Sequence, residues 1–209
     1  MKKLMITTFI AIGILAVSCK KSRQSNANIT YTNINKTITR STTNIDYNLD
    51  IDKDGLDDMK FRFDLVNAVS INSTYYYNLI EVKNDSLSFH CSKLDLDWKG
   101  NIIRNSYPLP YTEQSAISST ISSGYWTDNY FLDYPYLYGK AEEMDKSSSS
   151  VIKAFSNNSK NYIAIKIKKN GSYYFGWICL SLSDDGESTT IYDAAISKLP
   201  NTSIKAGEK

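Results

Sequence analysis

Asn44-Ile45-Asp46-Tyr47-Asn48-Leu49 runs directly into Asp50-Ile51-Asp52-Lys53-Asp54-Gly55-Leu56-Asp57-Asp58, and Met59-Lys60-Phe61-Arg62-Phe63-Asp64-Leu65-Val66 runs out of it. Both flanks alternate apolar and polar residues, Ile45/Tyr47/Leu49 before the acidic stretch and Phe61/Phe63/Leu65 after it. A period of two puts every second side chain on one face of an extended strand, so the flanks read as a β-hairpin with one face inward. Its connection has the pattern DxDxDGxxD. Carboxylates at the first, third, fifth and ninth positions, Asp50, Asp52, Asp54 and Asp58, are spaced to meet on one hard cation. The carbonyl of Leu56 adds a fifth oxygen, and Gly55 makes the sharp turn. Calcium is the expected ion, with a dissociation constant of about 10⁻⁴ to 10⁻³ M and a structural role. The alternative is an acidic turn with no ion. Carboxylates packed this closely repel by about 1 kcal/mol per pair at 4 Å even in water, which favours the ion. Asp57 is expected to point outward.

The same alternation recurs at Ile29/Tyr31, Leu87/Phe89/Cys91 and Ile163/Ile165/Ile167, with polar turns between. The chain has 209 residues, 42% hydrophobic and 22% charged, enough apolar content for one globular core. An antiparallel, jelly-roll-like β-sandwich over residues 29–209 is the expected architecture, with a long aromatic-rich insertion in its middle. That insertion, Trp98 to Ser150, contains Pro108, Pro110 and Pro135 among many rings. A short helix is expected at about Thr112 to Ile121. Tyr125, Trp126, Tyr130 and Tyr136 are candidates for a flat platform that stacks on sugar rings; packing against the sandwich is the other use for such rings.

At the N-terminus, Lys2 and Lys3 precede an apolar run from Leu4 to Val17, too short for a comfortable membrane span. Residues 1–18 read as an export signal. Its end, Leu15-Ala16-Val17-Ser18-Cys19, resembles the lipobox of bacterial lipoproteins, with Ala16 where that family usually has Leu. The resemblance implies that Cys19 is lipidated and becomes the first mature residue, with 19–28 as a flexible tether. Inner-membrane lipoproteins usually carry Asp after the cysteine; here Lys20 stands there, which points to the outer membrane, facing either the periplasm or the cell surface. The formal charge is +2, and removing Lys2 and Lys3 leaves the mature chain neutral. That balance argues against a nucleic-acid partner.

The aspartate loop resembles the calcium loops of thrombospondin type 3, dockerin and FG-GAP-type repeats. It differs from an EF-hand, which places Glu at the twelfth position, where Phe61 stands. A second resemblance lies in Gly171-Ser172-Tyr173-Tyr174-Phe175-Gly176-Trp177-Ile178-Cys179-Leu180-Ser181-Leu182, then Thr190-Ile191-Tyr192-Asp193-Ala194-Ala195 and Ile204-Lys205-Ala206-Gly207. These segments are similar to the closing strands of a GWI-type β-sandwich module of secreted bacterial proteins, with Cys179 in place of the usual Arg and Ala194 in place of the usual Tyr. The resemblance implies the fold and no catalytic residues. Alternation puts Ile178, Leu180 and Leu182 on the inward face and Trp177 and Cys179 on the other.

Cys91 and Cys179 are either a disulfide or two buried thiols. The single histidine, His90, reads as a surface residue, and it forms no dyad with Cys91 because neighbours in a strand point to opposite faces. The acid pairs Asp95/Asp97 and Glu142/Glu143 read as solvated charges; a glycan hydrolase built on them is the weakest reading. The expected protein is therefore a calcium-stabilised, lipid-anchored envelope or surface protein acting as a non-enzymatic binding or structural module. Its partners would be the membrane and glycans or envelope proteins. The alternative is a carbohydrate-binding lipoprotein using the Tyr125 to Tyr138 rings.

Overall fold

The computed structural model describes residues 27–40, 46–98, 100–127, 135–155 and 159–209, with the backbone alone for 71, 95–97 and 101–104. The export signal, Cys19, Ile45 and Tyr130, and the side chains of Asp95 and Asp97, lie outside the described set. In chain order the strands are β1 (Ile29–Thr39), β2 (Tyr47–Leu49), β3 (Met59–Ala68), β4 (Ser73–Val82) and β5 (Leu87–Trp98). The middle of the chain adds β6 (Asn101–Pro108), β7 (Pro110–Tyr111), β8 (Ala116–Ile117), β9 (Tyr125–Trp126), β10 (Tyr136–Glu143) and β11 (Ser149–Lys153). The C-terminal part adds β12 (Asn161–Lys169), β13 (Ser172–Leu182), β14 (Ser188–Ser197) and β15 (Ile204–Lys205). The protein is all-β. Among the described residues the one helical element is a single 3-10 turn, Val69–Ile71.

Two antiparallel sheets form the sandwich. The larger runs β1-β14-β13-β12-β5-β6, with β7 added beside β12 and β9 beside β5; the smaller runs β11-β10-β4-β3-β2. Most of the residues that alternate in the sequence meet between the sheets, while Ile29 and Tyr31 lie on the outer face of the larger sheet and Leu65 is 53% exposed. Phe61, Ile80 and Met59 of the smaller sheet pack in one fully buried cluster with Leu87, Phe89, Ile163, Ile165, Ile178 and Leu180 of the larger. Removing such side chains from water stabilises the fold by roughly 1.5–3 kcal/mol each. Polar ties join the two sheets as well: Asn78 Nδ2 donates to Thr189 Oγ1 at 2.6 Å, and Trp98 Nε1 of β5 donates to Ser73 Oγ of β4 at 2.7 Å.

The larger sheet is buried on its other face as well. Phe175, Trp177, Cys179, Ala164 and Ala195 form a second cluster with Ile117, Ile204 and Ala206. The cover is a two-stranded ribbon in which β8 pairs with β15 through Ile117 and Ile204. This is where a helix was expected over Thr112 to Ile121, and the structure has none. Tyr111 pairs with Tyr162 of β12, and Gln114 turns the chain at a φ of 70°. Ile117 is then delivered, 1% exposed, onto the outer face of the sheet. Ser, Thr and β-branched residues give this segment little helical preference to set against that burial.

Alternation also settles the cysteines. Cys91 lies in the cluster between the sheets and Cys179 in the outer cluster. The larger sheet stands between them, and both are free buried thiols. Burial raises the Cys179 thiol to about 11.

His90 corrects a second expectation. It is 3% exposed, not a surface residue. It points to the outer side of β5, and the pairing of β9 with β5 sets Trp126 beside it, at 5.5 Å between ring centres. Its Nε2–H donates to the Ser123 carbonyl at 2.6 Å. Nδ1 accepts from the Tyr111 hydroxyl at 2.5 Å. Burial holds the imidazole below its ordinary value, against the pull of the Ser123 carbonyl. A neutral histidine in the fold binds fewer protons than the same residue unfolded, so stability falls as pH drops through about 6.5. The melting temperature is therefore expected to decline between pH 7 and pH 5.5, and His90→Gln is expected to flatten that slope; an equally steep decline in the variant contradicts the assignment.

Candidate metal centre

The acidic stretch connects β2 and β3, whose register closes with Leu49 opposite Met59. The Asp58 amide donates to the Leu49 carbonyl at 3.0 Å, which seals the base of the loop. Between those points the chain makes one inward excursion. Ile51 is 0% exposed and belongs to the cluster between the sheets. The loop therefore plugs one end of the sandwich with Ile51 and leaves Asp50, Asp52, Asp54 and Asp57 at the rim.

Backbone amides gather on those acids. Asp50 accepts from Lys53 N at 2.7 Å, Asp54 N at 3.3 Å and Gly55 N at 2.8 Å. Asp52 accepts from Asp54 N at 3.2 Å, and Asp54 from Leu56 N at 3.0 Å. These bonds need two left-handed residues, Lys53 at a φ of 61° and Gly55 at 93°. Glycine takes that conformation without cost. Lys53 Nζ also donates to the Tyr31 carbonyl at 3.0 Å, which fastens the loop to β1.

Carboxylate oxygens of Asp50, Asp52 and Asp58 lie within 4.8 Å of one another. Asp58 is 1% exposed. Its two oxygens accept from Ile51 N at 2.9 Å and Asn84 Nδ2 at 2.7 Å. Burial holds the Asp58 carboxyl above the usual carboxylate range, and the charges of Asp52 and Asp50 push the same way. Asp54, the fourth expected ligand, is not in this group; it lies beside it against Lys169. Lys169 Nζ is 2.5 Å from Asp52 Oδ2 and 3.1 Å from Asp54 Oδ2. That contact raises the Lys169 ammonium above its ordinary value and lowers the Asp54 carboxyl. The Leu56 side chain is 73% exposed. Asp57 is exposed, as expected, and accepts from Asn48 Nδ2 at 2.6 Å.

Three participants were not read from the sequence. Ile51 continues the alternation of Tyr47 and Leu49 into the acidic run, where the aspartate spacing alone was read. Asn84 arrives from the β4–β5 turn, whose amides at Lys83 and Asn84 also donate to the Asp58 carbonyl at 2.8 and 3.1 Å. Lys169 carried a usable signal: it precedes Asn170-Gly171, a pair suited to a tight hairpin turn. Both residues have positive φ, 51° and 78°. The turn sets Lys169 opposite Ser172 at the end of the sheet that the loop closes.

The aromatic candidates do not share one surface. Tyr125 is half-buried, bonds the Ser106 hydroxyl and lies under Lys93. Trp126 packs on His90 and on Phe175, with Lys166 4.8 Å from its ring centre. Tyr136 stands on the far side of the smaller sheet, against Tyr77 and Tyr107. Of the acid pairs, Glu142 is not solvated: it is 6% exposed and ion-paired with Lys140. Glu143 accepts from the Ser147 hydroxyl at 2.7 Å.

Comparison of the chain with protein-family models, with curated proteins and with solved structures finds no match.

If Ile51 is the plug that holds the loop, Ile51→Ala is expected to lower the unfolding free energy in denaturant titration by about 2–5 kcal/mol. Leu56→Ala, at an exposed site five residues on, is expected to change it by no more than about 0.5 kcal/mol. Equal effects contradict the plug.

Proposed function

We propose that this chain is a lipid-anchored envelope protein whose β-sandwich takes a calcium ion at one end and acts as a non-enzymatic binding or structural module. The observation that carries the ion is the meeting of three carboxylates, from Asp50, Asp52 and Asp58, around the hydrophobic plug. The donors are all oxygen, the set that hard cations prefer over softer metals. Asp50, Asp52 and Asp58 would hold the ion. Asp54 and the Leu56 carbonyl are the further oxygens that the loop's spacing supplies. Calcium would neutralise acids that the fold otherwise holds together against their mutual repulsion. Its role is structural, because it would tie both strands of the β2–β3 hairpin to the β4–β5 turn that grips Asp58.

The membrane anchor rests on the sequence at Leu15 to Cys19 and on its resemblance to a lipobox. Lipidation at Cys19 would hold the sandwich at the outer membrane through multiple acyl chains, each buried methylene contributing about 0.8 kcal/mol.

Two measurements test these claims. Calcium at 100-fold its dissociation constant adds about 2.7 kcal/mol of stability, or about 5–10 °C of melting temperature for a domain of this size. The full-length chain is expected to show that rise in calcium over excess chelator, and Asp52→Ala/Asp58→Ala is expected to remove it. Unchanged melting at that excess, about 10–100 mM calcium for the expected affinity, contradicts the ion. Cys19→Ser is expected to move the protein from the membrane fraction to the soluble fraction; retention in the membrane contradicts lipidation.

A further inference from the structure

Residues 111–123 form a strap over the outer face of the larger sheet. Most of the strap is exposed; Ile117, 1% exposed, is the side chain it buries among Trp177, Cys179, Ile204 and Ala206. In its middle it is tied to the C-terminal ribbon, with Gln114 N donating to the Ala206 carbonyl and Ala206 N to the Ser115 carbonyl, each at 2.9 Å. Its two ends meet at His90. The Tyr111 hydroxyl lies 2.5 Å from Nδ1 and the Ser123 carbonyl 2.6 Å from Nε2. Gly124 lets the chain close this tightly, since a Cβ there would lie 2.9 Å from Nε2 and 2.4 Å from the Cys91 carbonyl oxygen.

These two bonds fix the tautomer. A carbonyl only accepts, so Nε2 carries the proton and Nδ1 accepts from Tyr111. A second proton has one place to go, Nδ1, where it faces the hydroxyl that donates to it. The Tyr111 oxygen can turn to accept, but its own hydrogen then lacks an acceptor at a half-buried site. The imidazolium is also a buried charge with no carboxylate on either nitrogen. The titratable and charged groups on the elements packed around it supply none. Tyr111 of β7 is the donor itself. Tyr125 of β9 bonds the Ser106 hydroxyl and lies under Lys93 of β5. Lys166 of β12 stands 4.8 Å from the ring centre of Trp126, which packs on His90, and so adds a like charge. Glu113 of the strap lies beside Gly207. Cys91 faces the space between the sheets. Tyr162 of β12 and Cys179 of β13, farther along the outer face, are kept protonated by burial.

We propose that His90 is an acid-sensitive latch: with one proton it clamps both ends of the strap, and with two it releases the Tyr111 end, so that the strap lifts and uncovers Trp177 and Cys179. The latch needs no ion and is separate from the aspartate loop. A closed strap holds a neutral imidazole and an open strap an ordinary one. Closure is therefore complete above about pH 6.5 and is lost as pH falls below it.

Amide hydrogen exchange of the full-length chain at pH 7.5 and pH 5.5, expressed as protection relative to intrinsic rates, tests this. The Gln114 and Ala206 amides, whose bonds cross between strap and ribbon, are expected to lose about tenfold in protection at pH 5.5, the factor by which an open-state imidazole titrating near 6.5 favours opening one unit lower. The amides of β13 and β14 are expected to keep theirs. His90→Gln, neutral at both pH values, is expected to remove the difference. The chain has one histidine, so its ring signal in NMR reports the same event. That signal is expected to titrate below 6.5, and Tyr111→Phe, which removes the donor at Nδ1, is expected to bring it closer to 6.5; this second variant keeps the test decisive if His90→Gln does not fold. Equal protection at both pH values overturns the latch. So does a loss spread evenly over the sandwich, a loss that persists in His90→Gln, or a ring that titrates at or above 6.5.

Discussion

Repulsion among five aspartates within nine residues is the constraint on which one end of this molecule depends. At the observed spacing each close pair costs about 1 kcal/mol even at the dielectric of water, and more for a carboxylate as buried as Asp58. The fold answers with positive charge and N–H dipoles from every available direction. Amides of the loop itself converge on Asp50. Asn84 reaches Asp58 from the next turn, Asn48 reaches Asp57 from β2, and Lys169 reaches Asp52 and Asp54 from the other sheet. The acids hold the loop's own amides and the next turn; under the proposed function they are also the place for a cation, with Lys169 as the counter-charge that the chain carries for itself.

The loop is held in position by the core. Ile51 inserts between sheets whose inner faces are already matched, so the acids on either side of it are fixed relative to β12 and β14 as well as to their own hairpin. Flexible loops of acids lose conformational entropy when an ion gathers them. Here much of that ordering comes from hydrophobic burial. The same economy appears on the far side of the larger sheet, where the segment after Pro108 and the C-terminal ribbon supply Ile117, Ile204 and Ala206 to cover Trp177. A sheet buried on both faces accounts for the nearly unbroken apolar run from Phe175 to Leu182.

The β architecture was legible because its signal is local. Strands with one face in the core repeat every two residues, and Phe61/Phe63, Leu87/Phe89 and Ile163/Ile165/Ile167 were found where they were expected. The hairpin around the acidic loop was legible for the same reason. What escaped depends on partners distant in the chain. His90 reads as polar until the Tyr111 hydroxyl and the Ser123 carbonyl are seen to close over it. The segment from Thr112 to Ile121 lacks alternation, so nothing local shows that Ile117 would pair its strand with a ribbon 87 residues later. The acids of the loop were apparent, whereas Lys169, 115 residues from Asp54, enters only through the closing of the sandwich.

The central claim is that a divalent cation locks the aspartate loop onto the end of the sandwich. Amide hydrogen exchange across Asp50 to Asp58, compared in calcium and in chelator, tests it most directly, because the Ile51, Lys53 and Gly55 amides already point at the acids an ion would fix. Slower exchange in calcium, confined to the loop and to the Lys83–Asn84 turn and lost in Asp58→Asn, is the expected result. Identical exchange in both conditions would show that Lys169 and the backbone amides hold the acids unaided, and would contradict the account.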